Sequence, residues 1–105
     1  MGNHKNAIAR LLDLIRVDPS DVRSRLKLGD LYVKNGAYLG ALEAYEWVAK
    51  HYAEQGFVLK AIAVYTQIRK VLVEHAPHLQ HRYAHVGPIL TGLRESLGLK
   101  DHDAN

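Results

Sequence analysis

Apolar residues recur at steps of three and four along almost the whole chain, and almost no segment alternates with the period of two that marks a half-buried strand. The pattern predicts an all-α protein of about five helices. Ile8, Leu11, Leu12 and Ile15 stripe a first helix over about residues 5–16. It stops before Asp18-Pro19, because the residue before a proline avoids helical backbone angles. The second helix is expected to begin there, with Asp18 as its cap and Pro19 in its first turn. Val22, Leu26, Gly29 and Val33 line one side of it, with Leu28, Leu31 and Tyr32 alongside. Asn35-Gly36 closes it, since glycine takes the left-handed cap conformation without strain.

The third helix, about residues 37–54, is the most regular: Tyr38, Ala41, Leu42, Tyr45, Val48, Ala49 and Tyr52 keep the helical step, and Gln55-Gly56 ends it. Phe57, Ala61, Val64, Tyr65, Ile68, Val71 and Leu72 share one face of a fourth helix over about 57–74. After His75-Ala76-Pro77 a fifth stretch runs to about Leu97 through Leu79, Tyr83, Val86, Leu90 and Leu93. Gly87-Pro88 falls in its middle, and proline inside a helix costs about 3 kcal/mol. This stretch is therefore expected to be kinked or to be two short helices. Loops of a few residues make consecutive helices antiparallel. The expected product is an antiparallel helix-hairpin stack over residues 1–99 with a polar tail at 100–105.

One phrase occurs twice. Gly36-Ala-Tyr-Leu-Gly-Ala-Leu-Glu-Ala-Tyr45 and Gly56-Phe-Val-Leu-Lys-Ala-Ile-Ala-Val-Tyr65 share the pattern Gly-x-apolar-x-x-Ala-apolar-x-x-Tyr at an offset of 20 residues. Repeated helical phrases opened by glycine mark stacked-repeat proteins. The spacings resemble those of the tetratricopeptide repeat, a unit of about 34 residues reading W-x2-L-G-x2-Y, then A-x3-F, then P. Leu28-Gly29-x2-Tyr32 supplies the first part, Gly36 the turn and Ala41-x3-Tyr45 the second part. Ala7-x3-Leu11, Leu14 and Pro19 look like the end of a preceding repeat, and Tyr83-x2-Val86-Gly87-x2-Leu90 like the start of another. The likeness covers about residues 5–90. It departs from the family at Arg25, where an aromatic is expected, in the missing proline after the third helix, and in the short offset between the phrases. A third helix that ends one repeat and opens the next, through Tyr45-x2-Val48-Ala49-x2-Tyr52, accounts for that offset. The chain thus resembles an irregular, compressed member, in the style of long bacterial tetratricopeptide proteins.

The resemblance implies an α-solenoid that binds other proteins along a groove lined by the first helix of each repeat. Mapped by position, that groove comprises Arg23, Leu26, Asp30, Val33 and Lys34, then Glu43, Glu46 and Lys50, with His81 and Ala84 further along. Some members clamp a peptide's C-terminal carboxylate with Lys and Asn. Here the first two such places hold Leu26 and Asp30, so no carboxylate clamp is expected. Asp30 and Lys34, and Glu46 and Lys50, stand four apart and suit surface ion pairs; on that reading the charges only solvate a face.

Trp47 stands apart from the core pattern. At about 100° per residue it falls nearly opposite Tyr38, Leu42, Tyr45, Ala49 and Tyr52, beside Gly40, Ala44 and His51. It is either a second packing face or an exposed anchor for a partner or a second copy of the chain. Tryptophan flanked by small residues makes a good hot spot.

At 105 residues the chain is one domain, and with no cysteine it has no disulfide, thiolate zinc site or thiol nucleophile. No apolar run approaches the roughly 18 residues of a membrane span, and the Met1 end carries no apolar export segment, which favours a cytoplasmic protein. The net charge of +3 is mild and the cations are spread out, so Arg23, Arg25 and Lys27 read as a solvated face rather than a nucleic-acid patch. His75, His78, His81 and His85 are the one cluster with ligand chemistry, and the last three would share a helix face. Apart from Glu74 no carboxylate lies near them in sequence, and no metal site is expected. No phosphate-cradling loop or nucleophile arrangement is present, and neither an enzyme nor a cofactor is expected. The reading is a protein-interaction adaptor for a peptide or helix, with a self-associating homo-oligomer as the alternative and nucleic-acid binding third.

Overall fold

The computed structural model describes residues 3–99. Five α-helices, α1 (Asn3–Val17), α2 (Val22–Lys34), α3 (Tyr38–Glu54), α4 (Val58–Glu74) and α5 (Val86–Ser96), pack sequentially as antiparallel neighbours. The expected tail at 100–105 lies outside the described residues. The stack measures 44 × 30 × 21 Å, so its thinnest dimension holds about two helices of ~10 Å each. Each helix therefore keeps a face near solvent; α2, α3 and α4 have a helix on either side, while α1 and α5 pack mainly against one.

The helix ends follow from backbone bonding. α2 and α3 close with the same pair of bonds. The Gly36 N–H donates to the Val33 carbonyl and the Ala37 N–H to that of Tyr32; Gly56 and Phe57 repeat this with Ala53 and Tyr52. Both glycines have positive φ, 75° and 81°, which a side chain would strain. In the second closure the Phe57 ring meets the Tyr52 ring edge-on at 6.3 Å, adding the apolar contact that this type of cap often carries.

Two expected boundaries move. α2 begins at Val22, not at Pro19: Asp21 is its cap, accepting from the Ser24 N–H at 3.0 Å and from the Ser24 hydroxyl at 2.6 Å. Asp18 instead accepts from the N–H and hydroxyl of Ser20 within the connecting turn. The fifth stretch is not one kinked helix but two short ones, of which the first is a 3-10 helix. Pro77–Leu79 is a single 3-10 turn, bonded turns continue through His85, and α5 starts at Val86. Pro88 thus sits in the first turn of α5, where its missing N–H is one that a helix leaves unpaired anyway. The expected 3 kcal/mol penalty does not arise.

The main core is the seam between α3 and α4. Ala41, Leu42, Val48, Ala49, Ala61 and Ile68 have no exposed surface, and Tyr83, Val86 and Leu90 extend the seam toward α5. Burying side chains the size of Leu42 and Ile68 is worth about 1.5–3 kcal/mol each. A smaller cluster of Leu11, Leu28 and Ala44 joins α1 to the stack. The apolar stripe of α1 is narrower than expected: Ile8, Leu11 and Ile15 face the cluster, while Leu12, Leu14 and Val17 are exposed.

α2 and α3 approach closely at Gly29. A methyl there would lie 2.5 Å from Cε1 of Tyr45, whose ring fills the gap. The Tyr45 hydroxyl donates to Asp30 at 2.5 Å. Burial first, and then that carboxylate, pushes the hydroxyl's pKa far above its ordinary value. The phenol therefore stays protonated and holds its hydrogen bond throughout the neutral range.

Candidate partner-binding cleft

Arg25, Leu28 and Tyr32 follow one another along α2 at steps of three and four. Gly40, Glu43, Ala44 and Trp47 do the same along α3. The two rows face each other across an open cleft of about 250 Å³. Small side chains make its floor. Gly40 leaves room for the Tyr32 ring, since a methyl at that position would stand 3.1 Å from it.

Trp47 is half-buried in this cleft and does not stand free. The Arg25 guanidinium lies 3.9 Å from the centre of its ring, and the His51 ring stacks on it at 4.9 Å with the planes 10° apart. Arg25 is itself held, donating through Nε and Nη2 to the Pro19 carbonyl at 3.2 and 2.9 Å. The flat guanidinium thus occupies the place where the repeat pattern leads one to expect an aromatic ring. A cation over an indole face is worth about 0.5–1 kcal/mol at an exposed site and more when desolvated. Part of the ring packs against the stack, as the packing-face reading expects, and the rest lines the cleft.

The eight groove positions fall on two faces. Asp30, with the exposed Arg23 and Lys34, is on the α2 face that meets Tyr45. Leu26 and Val33 pack against the main core. Glu43 and Lys50 lie more than about 120° round α3 from Tyr45, so they point elsewhere. Glu46 is tied to the start of α5: His85 donates from Nε2 to its Oε2 at 2.5 Å. Burial, followed by the carboxylates of Glu46 and Glu43, raises the pKa of Tyr83. Of the eight, only Glu43 borders the Trp47 cleft. The expected ion pairs Asp30–Lys34 and Glu46–Lys50 do not form, because Tyr45 and His85 take the carboxylates. Among the described residues the ion pairs are Arg16–Asp13, His75–Glu74 and His85–Glu46.

Sequence reasoning did not select Arg25, Tyr32 or Gly40 for this site. The signal was present: Arg25 breaks the repeat pattern where a flat side chain is wanted, and Gly40 stands one turn from Ala44 and two from Trp47. The histidines do not make a helix face. His78 lies in the 3-10 turn, His81 in the following turns and His85 at the cap of α5, while His75 stacks on Tyr38 at 4.9 Å. Among the described residues no three His, Asp or Glu side chains are grouped to hold a metal ion, and no helix is long and apolar enough to cross a membrane. No protein-family model, curated protein or solved structure matches the chain.

Proposed function

We propose that the chain is a cytoplasmic protein-interaction adaptor, an irregular tetratricopeptide-like stack that accepts a peptide or helix of another protein. The observation that carries this reading is the Trp47 cleft. It gathers an arginine, a tryptophan and a tyrosine, the three residue types that dominate binding hot spots, over a floor of Gly40 and Ala44. Glu43 at its edge is exposed and has no ion-pair partner among the described residues, so it is available to a cation on the partner. Arg25 is pinned by Pro19 before any partner arrives, which keeps the ordering cost of binding low. The sharing of α3 between α2 on one side and α4 on the other supports the compressed-repeat architecture.

The test uses the single tryptophan as reporter. Partner segments are selected from a peptide library against the intact protein, and Trp47 emission is followed during titration. The reading expects saturable emission changes with the selected peptides. Glu43→Lys should weaken binding at least tenfold while the helical circular dichroism stays unchanged. Selected peptides that neither perturb Trp47 nor respond to Glu43→Lys would refute this site. The self-association alternative rests on the exposed Leu12, Leu14 and Val17 of α1 and on Phe57, Leu59 and Leu97 at the opposite edge. Light scattering across a wide concentration range decides it, since a stable dimer would put those faces in use.

A further inference from the structure

Away from the Trp47 cleft, where α5 lies along α4, a depression of about 400 Å³ is lined by Arg69, Gly87, Leu90, Thr91 and Arg94. Two of its five lining residues are arginines and none is acidic. Among the described residues neither guanidinium has a hydrogen-bond or ion-pair partner, whereas Arg16 is paired with Asp13 and Arg25 is held by Pro19. Leu90 supplies a buried apolar floor and Gly87 adds no side chain to fill the space. Gly87, Thr91 and Arg94 follow at steps of four and three, so α5 turns one continuous face to Arg69 across the depression. Two cations that line one depression without a neutralising partner repel each other, and an anion between them removes that repulsion.

We infer that this depression is a binding site for a single phosphate group, free or as a monoester, held between Arg69 and Arg94. The guanidinium fork donates two parallel N–H bonds to a tetrahedral oxyanion, and two forks from different helices grip it from two sides. A phosphate monoester carries close to two negative charges at neutral pH, which matches two arginines. A polyanion needs cations that continue beyond one phosphate. Arg69 also borders a neighbouring depression with Thr66, Lys70, Val73 and Glu74, where the Glu74 carboxylate offsets the Lys70 charge, so no unopposed row of cations extends from the site there. The site goes beyond the adaptor reading and does not depend on it.

The test is a nuclear magnetic resonance titration of the whole chain, observing the arginine Nε–H signals and the backbone amides of α5. The probes are inorganic phosphate and a short phosphoserine peptide, added at constant ionic strength near neutral pH. Saturable shifts confined to Arg69, Arg94 and the face of α5 are expected for at least one probe. Arg69→Gln and Arg94→Gln should each weaken binding by about tenfold or more. Lys27→Gln, an exposed cation on α2, should change nothing. Equal affinity for both probes assigns the site to free phosphate, and tighter binding of the peptide assigns it to a phosphorylated protein. Shifts that spread over all cations without saturating, or that survive both arginine substitutions, overturn the proposal. So does preferential binding of an oligonucleotide with a steep dependence on salt, since that marks many phosphate contacts.

Discussion

Replacing Gly29 by alanine sets two opposing effects against each other. In a helix interior, alanine is favoured over glycine by about 0.8–1.0 kcal/mol. At Gly29 the new methyl would stand 2.5, 2.8 and 3.0 Å from three atoms of the Tyr45 ring, where carbon atoms prefer about 3.5–4.0 Å. The ring has little freedom to yield. Tyr45 is 2% exposed and its hydroxyl is bound to Asp30 at 2.5 Å. Relief requires either that α2 and α3 separate or that the ring tilts off the carboxylate. Overpacking of this kind costs about 1–3 kcal/mol. Losing the hydrogen bond to a charged partner costs about 1.5–3 kcal/mol more. Overpacking alone leaves a net cost of up to about 2 kcal/mol after the propensity gain, and loss of the hydrogen bond raises it to about 1.5–5 kcal/mol, so Gly29→Ala is expected to destabilise. For a domain of this size each kcal/mol lowers Tm by about 4–8 °C. Gly92 is the reference: it is exposed within α5 and a methyl there meets nothing within 4 Å. Gly92→Ala should therefore gain up to about 1 kcal/mol. Differential scanning calorimetry of the two variants decides the matter. A Gly29→Ala protein that melts at or above the wild type would refute the steric argument.

Two further outcomes follow from the helix ends. Hydrogen bonds from the Ser24 hydroxyl and N–H hold the Asp21 pKa below its ordinary value, so the cap contributes stability above the unfolded carboxylate range and loses it as pH falls through the lowered folded pKa. The α2 amides near Ser24 should accordingly lose protection, measured against their intrinsic exchange rates, as pH falls, and Asp21→Ala should abolish that pH step; a step that persists in the variant would assign it to another group. Pro88→Ala should shift stability by no more than about 1 kcal/mol, because only unfolded-state freedom changes. A gain near 3 kcal/mol would show that the proline strains a continuous helix after all.

The order of α1 to α4 and the ends of α2 and α3 were legible because their apolar steps and closing glycines act locally. A glycine at a left-handed cap and a tyrosine one turn before it need no distant partner to be recognised. Pro88 misled because the same residue is costly inside a helix and harmless in its first turn, and only the position of Val86 tells which applies. Asp18 and Asp21 are equally good caps by type. The choice fell to Asp21, whose side chain has Ser24 three residues on. The site was less legible. Asp30 and Glu46 each have a lysine four residues away, but Tyr45 and His85 reach them from other helices. Contacts between elements leave no periodic trace. Arg25 on Trp47 is such a contact, formed across the α2–α3 seam.

The sequential stacking has a kinetic consequence. Each helix rests mainly on its neighbours in the chain, and the His85–Glu46 bond is the longest-reaching of the side-chain hydrogen bonds described, spanning 39 positions. Forming the native contacts therefore seldom requires closing a long loop of disordered chain. Topologies with such local contacts fold in about microseconds to milliseconds, far faster than sheet proteins of similar stability. Damage stays local for the same reason. Unravelling α1 removes the Leu11 cluster and leaves the α3–α4 seam covered, so the chain can shed and re-form its first helix while the rest stays folded.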